Sequence, residues 1–242
     1  MVSVLMFVIG ACIGSFINVI LSRRDWYKGR SRCDSCGHML SWYELIPVVS
    51  WVIQGGRCRK CKEKVGIEHL ASEIYMGCAL LCASLCFLKY GLYYGALFLI
   101  GLFFLCLFAI QDMKEKMVYA FLLYAGILIT AAIKLMILFR FFEVWDAWIF
   151  ICYLGAIKFL GWLFAFVIGQ KIGAGDFDII LMLYILFGIP GFFYVIIFAC
   201  MIGTLVYLPA VITKKYDRKE AVPLAPLFYI ASIVFVLGGV FF

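Results

Sequence analysis

Leu92-Tyr93-Tyr94-Gly95-Ala96-Leu97-Phe98-Leu99-Ile100-Gly101-Leu102-Phe103-Phe104-Leu105-Cys106-Leu107-Phe108-Ala109-Ile110 runs without a charge until it meets Gln111-Asp112-Met113-Lys114-Glu115-Lys116. Wound as an α-helix at about 1.5 Å per residue, such a run covers roughly the 30 Å hydrocarbon thickness of a bilayer. The stretch therefore predicts a transmembrane helix that stops at a charged edge. The pattern recurs along a 242-residue chain that is 67% hydrophobic, with a mean hydropathy of +1.09. Such a composition excludes a soluble domain and predicts an all-α polytopic membrane protein.

Apolar segments fall at 1–21, 70–88, 92–110, 117–138, 147–169, 178–189, 191–212 and 222–242, which predicts about eight crossings. The division of the sixth from the seventh rests on Gly188-Ile189-Pro190-Gly191. The first segment has no basic region before it and no small-residue cleavage site after it, so it reads as a retained helix. Residues 22–69 carry ten Lys or Arg against five Asp or Glu, and the positive-inside rule assigns that loop to the cytoplasm. Counting crossings from there puts Asp112–Lys116, Gln170–Gly175 and Thr213–Glu220 on the same side, and both termini outside.

The 22–69 loop is the one sizeable soluble part, and it holds Cys33-Asp34-Ser35-Cys36 and Cys58-Arg59-Lys60-Cys61. Two Cys-x-x-Cys knuckles in a reducing compartment argue for four thiolates around one structural Zn²⁺. So small a segment buries little surface, and bound metal would supply folding free energy that Trp42, Tyr43 and Trp51 alone do not. His38 is a possible replacement ligand, although four cysteines already close a tetrahedron. Redox-active thiols are the other reading of the pairs. The remaining seven cysteines lie in apolar segments and read as packing residues.

Four ionisable side chains at or inside apolar segments are candidates for chemistry. Asp112 ends the third segment. Asp176 sits in Lys171-Ile172-Gly173-Ala174-Gly175-Asp176-Phe177-Asp178, where two glycines let the backbone pass close to a partner and the acid opens a helix. Topology puts Asp112 and Asp176 at one membrane edge, and two carboxylates held together share a proton, as a water-activating pair requires. The alternative for Asp176 alone is a helix cap. Glu73 lies a turn inside its segment, and Lys158 lies about 16 Å of helix from either end of its own, so both are costly unless they face a cleft or a partner. In the first segment Gly14, Ser15 and Asn18 suit close helix packing.

The run Ser31-Arg32-Cys33-Asp34-Ser35-Cys36-Gly37-His38-Met39-Leu40-Ser41-Trp42-Tyr43-Glu44-Leu45-Ile46-Pro47-Val48-Val49-Ser50-Trp51 resembles the cytoplasmic loop of type IV prepilin peptidases. Gly14-Ser15-Phe16-Ile17-Asn18-Val19 before it, Gly56-Arg57-Cys58-Arg59-Lys60-Cys61 after it and Gly173-Ala174-Gly175-Asp176 further on are similar to the family's other signatures. Two positions depart from the pattern: Val118-Tyr119-Ala120 stands where Ile-Pro-Asp is common, and Asp178 where a Lys is common.

The resemblance implies three parts, namely a first transmembrane helix over 1–21, a small cytoplasmic four-cysteine zinc-binding domain over 22–69 and a transmembrane aspartyl protease domain over 70–242. Asp112 and Asp176 would be the catalytic dyad, Gly173 and Gly175 its motif support, and Cys33, Cys36, Cys58 and Cys61 the zinc ligands. Glu73 and Lys158 would serve substrate binding or methyl transfer. The implied activity is removal of the basic leader of type IV prepilins and pseudopilins after a glycine, at the cytoplasmic face of the bacterial inner membrane. N-methylation of the new terminus with S-adenosylmethionine follows in many members. Lipid and pilin substrates are the expected partners, with no nucleic acid. A transporter, or a membrane scaffold docking a partner through the zinc knuckles, are the competing readings.

Overall fold

The computed structural model describes residues 2–22, 29–142, 144–168, 174–212 and 223–239. The helices are α1 (Val2–Ser22), α2 (Val49–Ile53), α3 (Ile67–Tyr90), α4 (Leu92–Glu115), α5 (Ala120–Phe141), α6 (Val144–Ile168), α7 (Ala174–Ile212) and α8 (Ala225–Leu237). No β-strand occurs among the described residues. Six of the helices (α1, α3, α4, α5, α6 and α7) are long and apolar enough to cross a membrane.

The expected eight apolar segments map onto these helices. At about 1.5 Å per residue the 39-residue α7 is far longer than a bilayer is thick, but Gly188 leaves helical geometry at φ 68°, followed by Pro190. That break divides α7 where the sixth and seventh segments were expected to part. Helix α8 is short, at 13 residues. The chain forms two compact units, Met1–Ser84 and Leu85–Phe242, with the boundary inside α3.

In the first unit α1 and α3 pack with their backbones almost touching. A Cβ at Gly10 would overlap the Met76 carbonyl, and one at Gly14 the Ser72 carbonyl. This is the small-residue packing expected of membrane helices, where dispersion takes over from the hydrophobic effect. Asn18 Nδ2 then donates to Ser72 Oγ at 2.8 Å and to the Glu68 carbonyl at 3.4 Å, and Ser72 passes its own hydrogen to the His69 carbonyl at 2.8 Å. Gly14 and Asn18 are thus absorbed by helix packing, as expected. Cys82 and Cys86 are buried, in keeping with a packing role.

The second unit is built around α4, whose membrane-spanning window is 61% buried, against 22% for α5 and 17% for α6. Helices α5, α7 and α8 pack on it. Phe98 and Phe108 of α4 are almost fully buried, and Phe98 meets Phe187 of α7, whose ring in turn meets Phe235 of α8. Outward aromatics such as Phe121 and Trp162 remain exposed, which suits helices whose solvent is lipid.

Candidate active site and metal centre

The two cysteine knuckles are local repeats of one fold. In the first, the Cys33 N–H donates to the His38 carbonyl at 2.9 Å, Gly37 N–H to the Cys33 carbonyl at 3.0 Å and Leu40 N–H to the Ser31 carbonyl at 2.9 Å. In the second, Cys58 N–H donates to the Glu63 carbonyl at 2.8 Å, Lys62 N–H to the Cys58 carbonyl at 2.9 Å and Val65 N–H to the Gly56 carbonyl at 2.8 Å. Equivalent positions Gly37 and Lys62 are left-handed, with φ 68° and 61°. Glycine adopts that conformation freely and lysine does not, so the second knuckle carries local strain.

The repeats bring Cys33, Cys36, Cys58 and Cys61 together, with all four Sγ atoms within 4.8 Å of one another. Cys33 Sγ lies 3.9 Å from Cys61 Sγ, and Cys36 Sγ 4.0 Å from Cys58 Sγ. Four thiolates at the usual Zn–S distance of about 2.3 Å on a tetrahedron stand about 3.8 Å apart, so the cluster fits a metal of that kind. The backbone N–H groups of Cys61 and Lys60 hold the Cys58 thiol down to about 6, which favours the ligating thiolate. His38 is no part of the cluster, since its Nε2 lies 3.5 Å from Glu44 Oε2.

Glu73 does not project into a membrane cleft. It is buried, and its Oε2 accepts the Val48 N–H at 2.6 Å. Val48 is the centre of a three-residue turn closed by Val49 N–H on the Pro47 carbonyl at 2.6 Å, with φ 63° and ψ −53°. A β-branched residue is rare and strained there. Glu73 thus clamps the turn that starts α2.

In the second unit Asp112 belongs to the last turn of α4 and does not follow it. The helix continues through Gln111–Glu115, where Gln111, Met113, Lys114 and Glu115 favour helix, and closes at Lys116 in the left-handed conformation. Asp112 Oδ2 accepts the Ala225 N–H at 2.9 Å, with the Leu224 N–H as a second backbone donor, so it caps the start of α8. Its neighbour Gln111 is buried and accepts the Tyr119 N–H at 3.4 Å, fixing the turn into α5.

Asp176 lies in the first turn of α7, half-buried, and its carboxylate interacts electrostatically with that of Asp112. Two acids 64 residues apart in sequence are therefore neighbours at one end of the helix bundle. Gly173 is outside the described residues. At Gly175 a Cβ would meet no atom within 4 Å, so open space adjoins Asp176.

Lys158 has a partner that sequence reasoning could not name. It pairs with Asp178 of α7, and its Nζ lies 5.4 Å from the centroid of the Tyr124 ring. Asp178 is 3% exposed and engaged by this cation, which separates it from the role of Asp176 two residues earlier. The pair satisfies both charges inside the membrane-spanning helices.

Fold and site together define a polytopic membrane protein with a four-cysteine cluster of a size that fits a metal ion and a pair of neighbouring aspartates. Residues 8–87 match the family model of the bacterial peptidase A24 N-terminal domain. Relatives named prepilin leader peptidase/N-methyltransferase include one from Pseudomonas putida, 26% identical over 96% of this chain and 89% of its own. Another, from Bacillus subtilis, is 26% identical over 97% of this chain and 94% of its own. A third, from Myxococcus xanthus, is 40% identical over 79 residues, which are 31% of this chain and 24% of that protein. No solved structure matches. The chain resembles the type IV prepilin peptidase family in its N-terminal third and, at lower identity, throughout its length.

Proposed function

We propose that the chain is an intramembrane aspartyl peptidase that removes the basic leader of prepilins and pseudopilins after a glycine, at the cytoplasmic membrane face. The observation that carries this reading is the convergence of Asp112 and Asp176 beside open space at Gly175. One carboxylate, ionised, takes a proton from water as the oxygen adds to the scissile carbonyl. The other, protonated, donates to that carbonyl oxygen. Collapse of the tetrahedral species breaks the C–N bond, and the amine leaves with a proton. No acyl-enzyme forms. Asp112 is oriented for this by α8, and Asp178 is withheld from it by Lys158.

The relatives' names also support N-methylation of the new terminus. S-adenosylmethionine would then supply the methyl group. Zn²⁺, held by Cys33, Cys36, Cys58 and Cys61, would stabilise the loop between α1 and α3 and take no part in turnover. The pairing of Lys158 removes the unmatched intramembrane cation on which a transporter reading drew.

The test is cleavage of a prepilin with a Gly-terminated leader in detergent or membranes, read by mass spectrometry. Asp112→Asn and Asp176→Asn should each reduce cleavage by at least the roughly 10²–10⁴-fold typical of a lost acid or base, with insertion unchanged. Retained cleavage in both single variants would overturn the assignment.

A further inference from the structure

Helix α2 turns apolar side chains away from the protein. Val49, Val52 and Ile53 share one face at helical spacing and are exposed, Ile53 by 79%, and Ile46 just ahead of them is exposed as well. The 3₁₀ turn Trp42–Leu45 before α2 leaves Trp42 75% exposed. Apolar side chains gathered on one exposed face mark an interaction surface. Their depth says what covers them. The Val48 N–H donates to Glu73 Oε2 at 2.6 Å, and Glu73 lies about 9 Å of helix inside the start of the Ile67–Tyr90 span. Ser50 and Trp51 share a cavity with Ser15 of α1, itself about 8 Å inside the end of the Val2–Ile20 span. Both long helices thus hold α2 at a level inside their own ends, where lipid is the surrounding solvent.

Beside this face runs a groove of about 470 Å³, lined by apolar Ile46, Val49 and Ile53 and by basic Arg57, Arg59 and Lys62, with no acid among its lining residues. The Arg59 guanidinium stands 5.4 Å from the centroid of the Tyr43 ring, which also lines the groove. Arg57 and Lys62 make no ion pair among the described residues. We propose that the groove binds an anionic phospholipid of the bilayer that α1 and α3 are built to cross. Its phosphate is held by Arg57, Arg59 and Lys62, and an acyl chain lies along Ile46, Val49 and Ile53. The three cations repel a basic peptide, and a soluble phosphate leaves the apolar lining uncovered. Cys58 lines the same groove, so the bound lipid ties the second knuckle to the membrane surface.

Lipid binding is read by native mass spectrometry on the full-length, zinc-loaded protein in detergent. The probes are phosphatidylglycerol, phosphatidylcholine and glycerol 3-phosphate. Phosphatidylglycerol should bind the most tightly, and changing Arg57→Gln, Arg59→Gln and Lys62→Gln together should weaken it at least about tenfold while leaving phosphatidylcholine unchanged. Ile53→Asn should weaken both lipids. Equal binding of the two lipids by the wild type, phosphatidylglycerol binding that the triple variant leaves unchanged, or glycerol 3-phosphate binding as tightly as phosphatidylglycerol overturns the proposal. Should the triple variant lose its zinc, Trp42 decides. Its emission in vesicles is taken as wild type minus Trp42→Phe. A small share of phosphatidylglycerol with brominated chains in unlabelled phosphatidylcholine should quench that emission at least about twice as much as the same share of brominated phosphatidylcholine. Equal quenching, or none, overturns the proposal.

Discussion

Lys158 of α6 and Asp178 of α7 form an ion pair, and Tyr124 of α5 places its ring beside the ammonium group. Three helices therefore meet at one charge pair inside the membrane-spanning region. Removing the cation leaves a nearly buried carboxylate uncompensated. Because the lysine side chain is half exposed, Lys158→Met should cost about 3 kcal/mol, the low end for breaking a buried pair. The double variant Lys158→Met with Asp178→Leu should recover most of that loss in a thermal melt in detergent. Cleavage per folded molecule should stay near wild type, whereas a transport role for Lys158 predicts damage that the second change does not repair.

Metal release should follow acid titration of the knuckle thiolates. Cys58 is lowered from its ordinary 9.0 to about 6 while its neighbour Cys61 is raised to about 12, so the pair yields its second thiolate only to a metal, and metal affinity should fall as pH falls. In zinc-free protein, iodoacetamide should alkylate the exposed Cys36 ahead of the buried Cys58. Zinc-loaded protein should protect all four cysteines, and chelation should make residues 29–66 sensitive to protease.

Gly175→Ala should separate stability from activity. Nothing stands within 4 Å of an added methyl group, and alanine is the better helix former by up to about 1 kcal/mol. The melting temperature should hold or rise. Under the proposed function the methyl group occupies space beside Asp176 that the substrate backbone needs, so cleavage should fall at least tenfold. Wild-type kcat/KM in this variant would remove Gly175 from the site.

Gly14→Leu should part α1 from α3, because its first side-chain carbon already overlaps the Ser72 carbonyl. Asn18→Ala, which keeps the close approach but removes the hydrogen bonds to Ser72 and Glu68, should cost only about 1 kcal/mol. A larger effect for Asn18 than for Gly14 in detergent unfolding would reverse the assigned order of the two contacts.

Much of this architecture is legible in the sequence because lipid imposes a simple code: long apolar runs must be helices, and their charged ends must lie at an edge. Cys-x-x-Cys spacing reveals the metal cluster for a similar reason, since tetrahedral thiolates dictate local turns. Gly37 shows its left-handed turn openly, while Lys62, in the matching position, gives no sign of it. Asp112 stands out in the sequence, but its helix reads as ending too early, because hydropathy falls at Gln111 while helix propensity does not. Pairings between distant side chains are invisible. Neither Glu73 with Val48 nor Lys158 with Asp178 leaves a periodicity or motif behind, and each fixes a residue whose isolated charge looks like a site for chemistry.

The cap that Asp112 gives Ala225 joins residues 113 apart. The last helix consequently senses what happens at the first of the two acids. Asn at position 112 retains an oxygen for the Ala225 N–H, whereas Ala does not, so Asp112→Ala should fray the start of α8 by about 1 kcal/mol. An environment-sensitive dye on the exposed face of α8, at Val234, would turn that fraying into a signal. The same dye could register ligands or inhibitors that compete for the carboxylate, giving an optical readout that needs no substrate.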